Sequence, residues 1–196
     1  MIEDTAERPP AGFAWHTDLS WTVAPPSLGF LHALEIPAVG GDTIWSNQVA
    51  ALDTLLDATR DLCLQLGAEH RCDPSLLASV ERHHGAEVAT RLRRAHAPVT
   101  HPLVRRHPET GEGSLFLSPM YLHHLVGLDR RHGAGLLGEL NRVLDDPHLQ
   151  LRWRWAEGDL AIWDERSTCH RALVDHHPQR RRMRRCVIAG APPVRA

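Results

Sequence analysis

The segment Trp15–Asp18 (WHTD) carries a histidine and an aspartate two residues apart. In an extended chain, side chains two residues apart point to the same side, so His16 and Asp18 can offer an imidazole nitrogen and a carboxylate oxygen to one ion. Two histidines and one carboxylate on one face of an octahedron leave three positions open, an arrangement that suits oxygen chemistry at iron(II). An HxD pair arises easily by chance in a chain with 15 histidines, so this prediction depends on a third ligand.

His170 is the candidate third ligand, and two arginines follow it at spacings that suit a shared cavity. It stands after a polar turn at the start of a predicted strand, and Arg181 and Arg185 lie 11 (181 − 170) and 15 (185 − 170) residues further on. The two arginines are four residues apart, so in a strand both side chains point to one face, toward the cavity of His170. A guanidinium can bind a carboxylate through two parallel hydrogen bonds, which lysine cannot do.

The elements that must position these residues are mostly strands, with helices inserted between them. The predicted strands are Leu28–Ile36, Thr43–Trp45, Pro102–His107, Leu115–Leu117, Leu149–Trp155, Leu160–Trp163, His170–Val174 and Arg184–Ile188. The predicted helices are one from a cap at Ser46 or Asn47 to Gly67, one over Leu76–Ala95, and one from Asp129 to Leu144. Parallel strand–helix alternation and a glycine-rich phosphate loop are missing. The pattern therefore predicts a mainly β fold with helical insertions, an antiparallel sandwich or jelly roll.

Composition limits the classes of protein to which the chain can belong. With 196 residues, 42% of them hydrophobic, we expect a single domain over residues 1–196. A net charge of −2 and the lack of aromatic residues among Arg180–Arg185 argue against a nucleic-acid partner. No apolar run approaches the roughly 20 residues of a membrane span. The acidic start and four widely separated cysteines predict a cytoplasmic protein with reduced thiols and no membrane partner.

Four segments together resemble the taurine dioxygenase family of iron(II)/2-oxoglutarate-dependent oxygenases. They are WHTD, GGDTIW at 40–45, GDLAIWDERSTCH at 158–170 and the PQRR…RR stretch at 178–185. They occur in the family's order, and the resemblance runs from about Phe13 to Pro193. It implies that His16, Asp18 and His170 bind iron(II), with 2-oxoglutarate and O2 as co-substrates, in a double-stranded β-helix, which is a jelly roll.

The resemblance also implies residues for the two organic ligands. Thr43, which follows His16 by 27 residues (43 − 16), and Arg181 would bind the remote carboxylate of 2-oxoglutarate. Arg185 would meet the anionic group of a small substrate, whether sulfonate, sulfate ester or carboxylate, and Leu19 would line its pocket. The products expected are a hydroxylated substrate, succinate and CO2.

The chain departs from the family's pattern in two places. Only 15 residues precede His16, whereas family members carry a long further segment that supplies early strands and part of the substrate pocket. We therefore expect a jelly roll that lacks the family's N-terminal strands, with an open sheet edge that favours a homo-oligomer. A shortened, non-catalytic metal- or ligand-binding relic of the family is the alternative function. Glu165 stands where the family usually has Asn, and we expect it to be exposed.

Overall fold

The computed structural model describes residues 1–10, 13–72 and 74–196. Its strands are β1 (Ile2–Asp4), β2 (Leu28–Glu35), β3 (Thr43–Asn47), β4 (Gly67–His70), β5 (Val99–Pro102), β6 (Val104–Arg106), β7 (Gly113–Leu115), β8 (Leu122–Val126), β9 (Gln150–Trp153), β10 (Leu160–Asp164), β11 (Thr168–Ala172) and β12 (Arg181–Ile188). Its α-helices are α1 (Gln48–Asp53), α2 (Asp57–Gln65), α3 (Pro74–His84), α4 (Ala86–Ala95) and α5 (Arg130–Val143). Pro147–Leu149 forms a short 3-10 helix before β9.

Two antiparallel sheets build the part of the fold that carries the site. One has the strand order β1-β12-β2-β10 and the other the order β11-β3-β9. Apolar side chains from both sheets pack together, among them Leu31 of β2, Trp45 of β3 and Met183 of β12. The prediction of a mainly β jelly roll with helical insertions is confirmed.

The helices and two smaller sheets form a second apolar cluster beside these sheets. Strands β5-β4-β8 make a three-stranded sheet, and β6 pairs with β7 in the predicted hairpin, whose second strand begins two residues earlier than expected. Fully or nearly fully buried side chains of this cluster come from α1, α5 and β6, such as Leu52, Leu140 and Val104. Asp129 caps α5 as predicted, because its carboxylate accepts from the N–H groups of Arg131 and His132.

Two of the three predicted helices are each divided into two. Asn47 caps α1 as expected, but the helix ends at Asp53, and Leu56 takes an extended ψ of 144° before α2 begins. Leu56 is consequently 79% exposed, although the apolar spacing assigned it to the buried stripe. Gly67 starts β4 directly. The predicted helix over Leu76–Ala95 divides at Gly85, whose φ of 89° lies outside the helical region.

Strand β9 follows the predicted alternation but leaves its apolar side chains exposed. It is shorter than Leu149–Trp155, and Leu151 and Trp153 are 60% and 44% exposed. Among the described residues, β9 and β10 are edge strands of their sheets, and both line an open groove of about 800 Å³. Alternation alone cannot say whether a neighbouring element covers the apolar side of a strand, and neither side of β9 is buried.

The last two strands carry His170 and the two arginines of the predicted site. Strand β12 begins at Arg181, three residues before the predicted start, so both arginines lie in one strand. Arg181 and Met183 are buried at 3% and 0% exposure, and Arg185 continues the same alternation. A register shift between Arg182 and Met183 interrupts the pairing with β2 without reversing the inward side.

No helix among the described residues has the length and apolarity required to cross a membrane.

Candidate active site

His16, Asp18 and His170 converge in the structure although 154 residues separate the histidines in sequence (170 − 16). An antiparallel bridge joins the two histidines, since each backbone N–H donates to the other's carbonyl oxygen at 2.8 Å. Their ring centroids are 4.3 Å apart. One candidate ligand atom from each of the three residues lies within 4.8 Å of the others, and all three residues are buried.

The donor atoms of this cluster are suited to a divalent cation. Nδ1 of His16 lies 2.8 Å from the carbonyl oxygen of Ala14, so Nδ1 carries the proton and Nε2 keeps its lone pair. Oδ2 of Asp18 and Nδ1 of His170 are buried and have no hydrogen-bond partner in the part of the chain that the structure describes. Buried polar atoms without partners are costly, and a cation between them removes that cost. The residues present therefore fit a metal ion.

The electrostatics keep these side chains in the forms that ligate metals. Burial lowers the pKa of His16 below its ordinary value and that of His170 to about 3. Burial acts to raise the pKa of Asp18, but His170, Arg185 and His16 outweigh it, and the net shift is downward. Neutral imidazoles and an ionised carboxylate are the forms that metals require.

Glu165 supports Asp18 from behind, and the expectation that it is exposed was wrong. Its side chain is fully buried, with Oε2 accepting from the backbone N–H of Asp18 at 3.0 Å and Oε1 from Nε1 of Trp163 at 2.8 Å. Arg105, also buried, donates to the Glu165 carbonyl oxygen at 2.6 Å. Burial raises the pKa of Glu165 well above its usual range. The N–H groups of Asp18 and of the Trp163 ring explain why an acceptor side chain is buried at position 165.

The turn after Asp18 is held by two buried histidines that the sequence did not single out. Leu19 has a positive φ of 49°, which redirects the chain immediately after the candidate ligand. Nδ1 of His70 lies 3.0 Å from Oγ of Ser20, and Nε2 of His101 lies 3.0 Å from the carbonyl oxygens of both Ser20 and Thr22. Nothing in the spacing of His70 and His101 indicates this role, because they reach the turn from β4 and β5.

Thr43 and Arg181 are both buried at the starts of their strands. The hydroxyl of Thr43 accepts from Nε1 of Trp155 at 3.0 Å. Among the described residues, Nε and Nη2 of Arg181 have no hydrogen-bond partner. The chain leading to Thr43 packs against Arg181, since a Cβ at Gly41 would lie 3.0 Å from its Cδ. Burial lowers the pKa of Arg181, although Asp4 and Asp42 counteract this.

Arg185 reaches the metal-ligand candidates directly. Its Nη1 donates to Oδ1 of Asp18 at 2.9 Å, and about a third of its side chain is exposed. The other guanidinium nitrogens can therefore still meet an incoming anion.

A second group of possible metal ligands consists of His107, Glu109 and Asp164. Its two carboxylates are already paired with an arginine. Arg166 forms ion pairs with both carboxylates at 2.7 and 2.6 Å, and Nδ1 of His107 accepts from the N–H of Thr110. This group is a salt-bridge cluster at the end of β10.

Comparison with known proteins agrees with this geometry. The chain is 35% identical to an alkylsulfatase of Acinetobacter baylyi over 90% of its length and 56% of that protein's. It is 34% identical to an alpha-ketoglutarate-dependent sulfate ester dioxygenase of Pseudomonas putida, over 92% of its length and 61% of the relative's. The chain thus spans little more than half the length of these relatives.

Solved structures show the same similarity. A taurine dioxygenase from Burkholderia xenovorans, described as putative and alpha-ketoglutarate-dependent, superposes with a TM-score of 0.79 at 34% identity, over 92% of this chain and 60% of that one. The structure of AAD-2 in complex with Mn(II) and N-oxalylglycine has a TM-score of 0.79 at 29% identity, over 93% of this chain and 70% of that one. The family model for the taurine catabolism dioxygenase TauD, TfdA family matches residues 2–187. With most of its length matched, the chain belongs to that family.

Proposed function

We propose that the chain is the catalytic part of an iron(II)- and 2-oxoglutarate-dependent dioxygenase that hydroxylates a small anionic organic substrate. The observation that carries the proposal is the buried convergence of His16, Asp18 and His170, in which Oδ2 of Asp18 and Nδ1 of His170 have no hydrogen-bond partner among the described residues. These three residues would hold iron(II). When bound, the ion supplies the redox chemistry by which O2 and 2-oxoglutarate yield succinate, CO2 and a hydroxylated substrate.

Arg181 and Thr43 would bind the remote carboxylate of 2-oxoglutarate. Two N–H donors of Arg181 are buried without a partner, and a carboxylate is the acceptor that matches a paired guanidinium edge. Thr43 uses its hydroxyl oxygen as an acceptor toward Trp155, which leaves the hydroxyl proton for the same carboxylate. This arrangement would orient the co-substrate and exclude water from its charged end.

Arg185 would bind the anionic group of the substrate, with Leu19 lining the pocket beside it. The partly exposed guanidinium lies next to Asp18, so an anion bound there is adjacent to the metal position. Relatives carry names that specify sulfate esters, sulfonates and phenoxypropionate. We infer a substrate of this class, in which a sulfonate, sulfate or carboxylate group accompanies an oxidisable C–H bond.

The direct test measures succinate formed by the purified protein with iron(II), ascorbate, O2 and 2-oxoglutarate. The substrate panel contains an alkyl sulfate, an alkanesulfonate and an aryloxy acid. We expect succinate formation that depends on one class of substrate and falls to background in Asp18→Asn, while His32→Gln on β2 keeps wild-type activity. Background succinate with every class would contradict the proposal.

A non-catalytic binding protein of the same family is the second candidate. It is favoured by the open groove between β9 and β10. In that case the protein would bind metal and 2-oxoglutarate, yet form no succinate with any member of the panel. The same assay, combined with a measurement of ligand binding, therefore separates the two candidates.

We infer that residues 1–196 act as one dioxygenase domain in the cytoplasm, without nucleic acid or membrane as partner. Apolar side chains on the edge strands favour self-association, with Leu151, Leu160 and Ile162 more than half exposed. We therefore expect a homo-oligomer, which sedimentation velocity would detect as a species heavier than 21.9 kDa.

A further inference from the structure

The guanidinium of Arg181 is held on one side by a carboxylate from the first strand. Asp4 ends β1 directly opposite Arg181 in the register of β1 and β12. Its Oδ2 lies 3.7 Å from Nη1 of Arg181, and the two residues are only 5% and 3% exposed. A buried guanidinium requires a counter-charge, and Asp4 supplies it at one end of the group.

A buried histidine fixes Asp4 in turn. Nε2 of His176 lies 3.3 Å from the same Oδ2, and His176 is 2% exposed. Gly41 packs on both Arg181 and His176, since a Cβ there would lie 3.0 Å from Cδ of Arg181 and 3.3 Å from Nδ1 of His176. With its φ of +75°, this position admits little other than glycine. Asp4 thus lies in a closed environment and cannot readily turn away from Arg181.

The guanidinium nitrogens of Arg181 that Asp4 does not contact are the two that can donate together to a carboxylate. In a guanidinium, the N–H of Nε and one N–H of Nη2 lie side by side and form a two-donor fork. In Arg181 these are the two nitrogens without a partner, while Nη1 faces Asp4.

We propose that Asp4, oriented by His176, is a positioning residue that fixes Arg181 so that its Nε/Nη2 edge is presented to the remote carboxylate of 2-oxoglutarate. The proposal rests on the function proposed above. Asp4 acts only through Arg181, so its loss should weaken ligands that have a remote carboxylate and spare ligands that bind the metal alone.

The test compares two chelating ligands in the presence of Mn(II), which replaces iron(II) and avoids turnover. N-oxalylglycine has a remote carboxylate, whereas oxalate chelates the metal but is too short to reach a second group. We expect Asp4→Asn to raise the Kd of N-oxalylglycine roughly tenfold in calorimetric titrations, because a pre-oriented donor pair is lost. The Kd of oxalate and that of Mn(II) should stay at the wild-type values.

Two further variants make the result decisive. Glu3→Gln, on the same strand but paired with Arg180 and Arg182, should bind both ligands as the wild type does. His176→Gln, which removes the ring that contacts Asp4, should weaken N-oxalylglycine alone, and it decides the matter if Asp4→Asn does not fold.

Three results would overturn the positioning role. They are N-oxalylglycine binding that is unchanged or tighter in Asp4→Asn, equal losses for both ligands, or no effect of His176→Gln where only that variant folds. A wild-type protein that binds Mn(II) and oxalate but not N-oxalylglycine would instead overturn the proposed 2-oxoglutarate site and, with it, this role.

Discussion

Asp18 is held through both its backbone and its side chain. Its N–H donates to Glu165, one carboxylate oxygen accepts from Arg185, and the other has no partner. The sequence identified Asp18 through its spacing from His16, but it gave no sign that Glu165 supports it. A local motif reports which side chains point the same way, whereas support from 147 residues away depends on the fold.

Replacing Glu165 with Ala should destabilise the protein and weaken its metal site. The change leaves the N–H groups of Asp18 and Trp163 buried without acceptors, which typically reduces the free energy of unfolding by about 1–3 kcal/mol for each group. Glu165→Gln keeps one carbonyl acceptor and the side-chain volume, so its loss should be smaller. Urea unfolding together with Mn(II) titration checks this order, and equal stability of the Ala variant and the wild type would contradict it.

At the scale of elements, the strands near the site were predicted well and the helices less well. Apolar runs located β2, β10, β11 and β12, and in β2 the burial alternates along most of the strand, as a period of two requires. The split between α1 and α2 depends on one backbone angle at Leu56, which apolar spacing does not encode. The roles of β4 and β5 in holding the turn after Asp18 could not be predicted, since they depend on tertiary packing.

The turn after Asp18 is held by His70, and this buried histidine should make the stability of the protein depend on pH. Burial, helped by the charges of His101 and Arg105, keeps the pKa of His70 well below its ordinary 6.5. The unfolded chain therefore binds a proton below about pH 6.5 that the folded protein does not, and the free energy of unfolding falls as the pH decreases.

The contribution of His70 to this slope should approach about 1.4 kcal/mol per pH unit. His70→Gln does not titrate and can still bond to Ser20, so its free energy of unfolding should fall less steeply between pH 6.5 and 5. Urea unfolding of both proteins across this range measures the two slopes. Identical slopes would show that His70 is not held neutral in the folded state.

At the scale of the whole molecule, two sheets bring residues from both ends of the chain together. Strand β1 supplies Asp4, the HxD segment supplies two candidate ligands, and β11 and β12 supply the third ligand and both arginines. The order of the sequence motifs predicted this convergence only through the resemblance to a family, because spacing alone does not determine which strands meet. The chain covers 56% and 61% of the length of two named relatives.

The central claim is that His16, Asp18 and His170 together hold one metal ion. Titration of the purified protein with Mn(II), followed by calorimetry, tests it most directly, with Asp18→Asn and His170→Gln as variants and His32→Gln as a histidine control outside the cluster. We predict one ion per wild-type or control chain and a loss of that binding in both site variants, with unfolding curves showing that they remain folded. Mn(II) binding that survives unchanged in Asp18→Asn or His170→Gln would contradict the account.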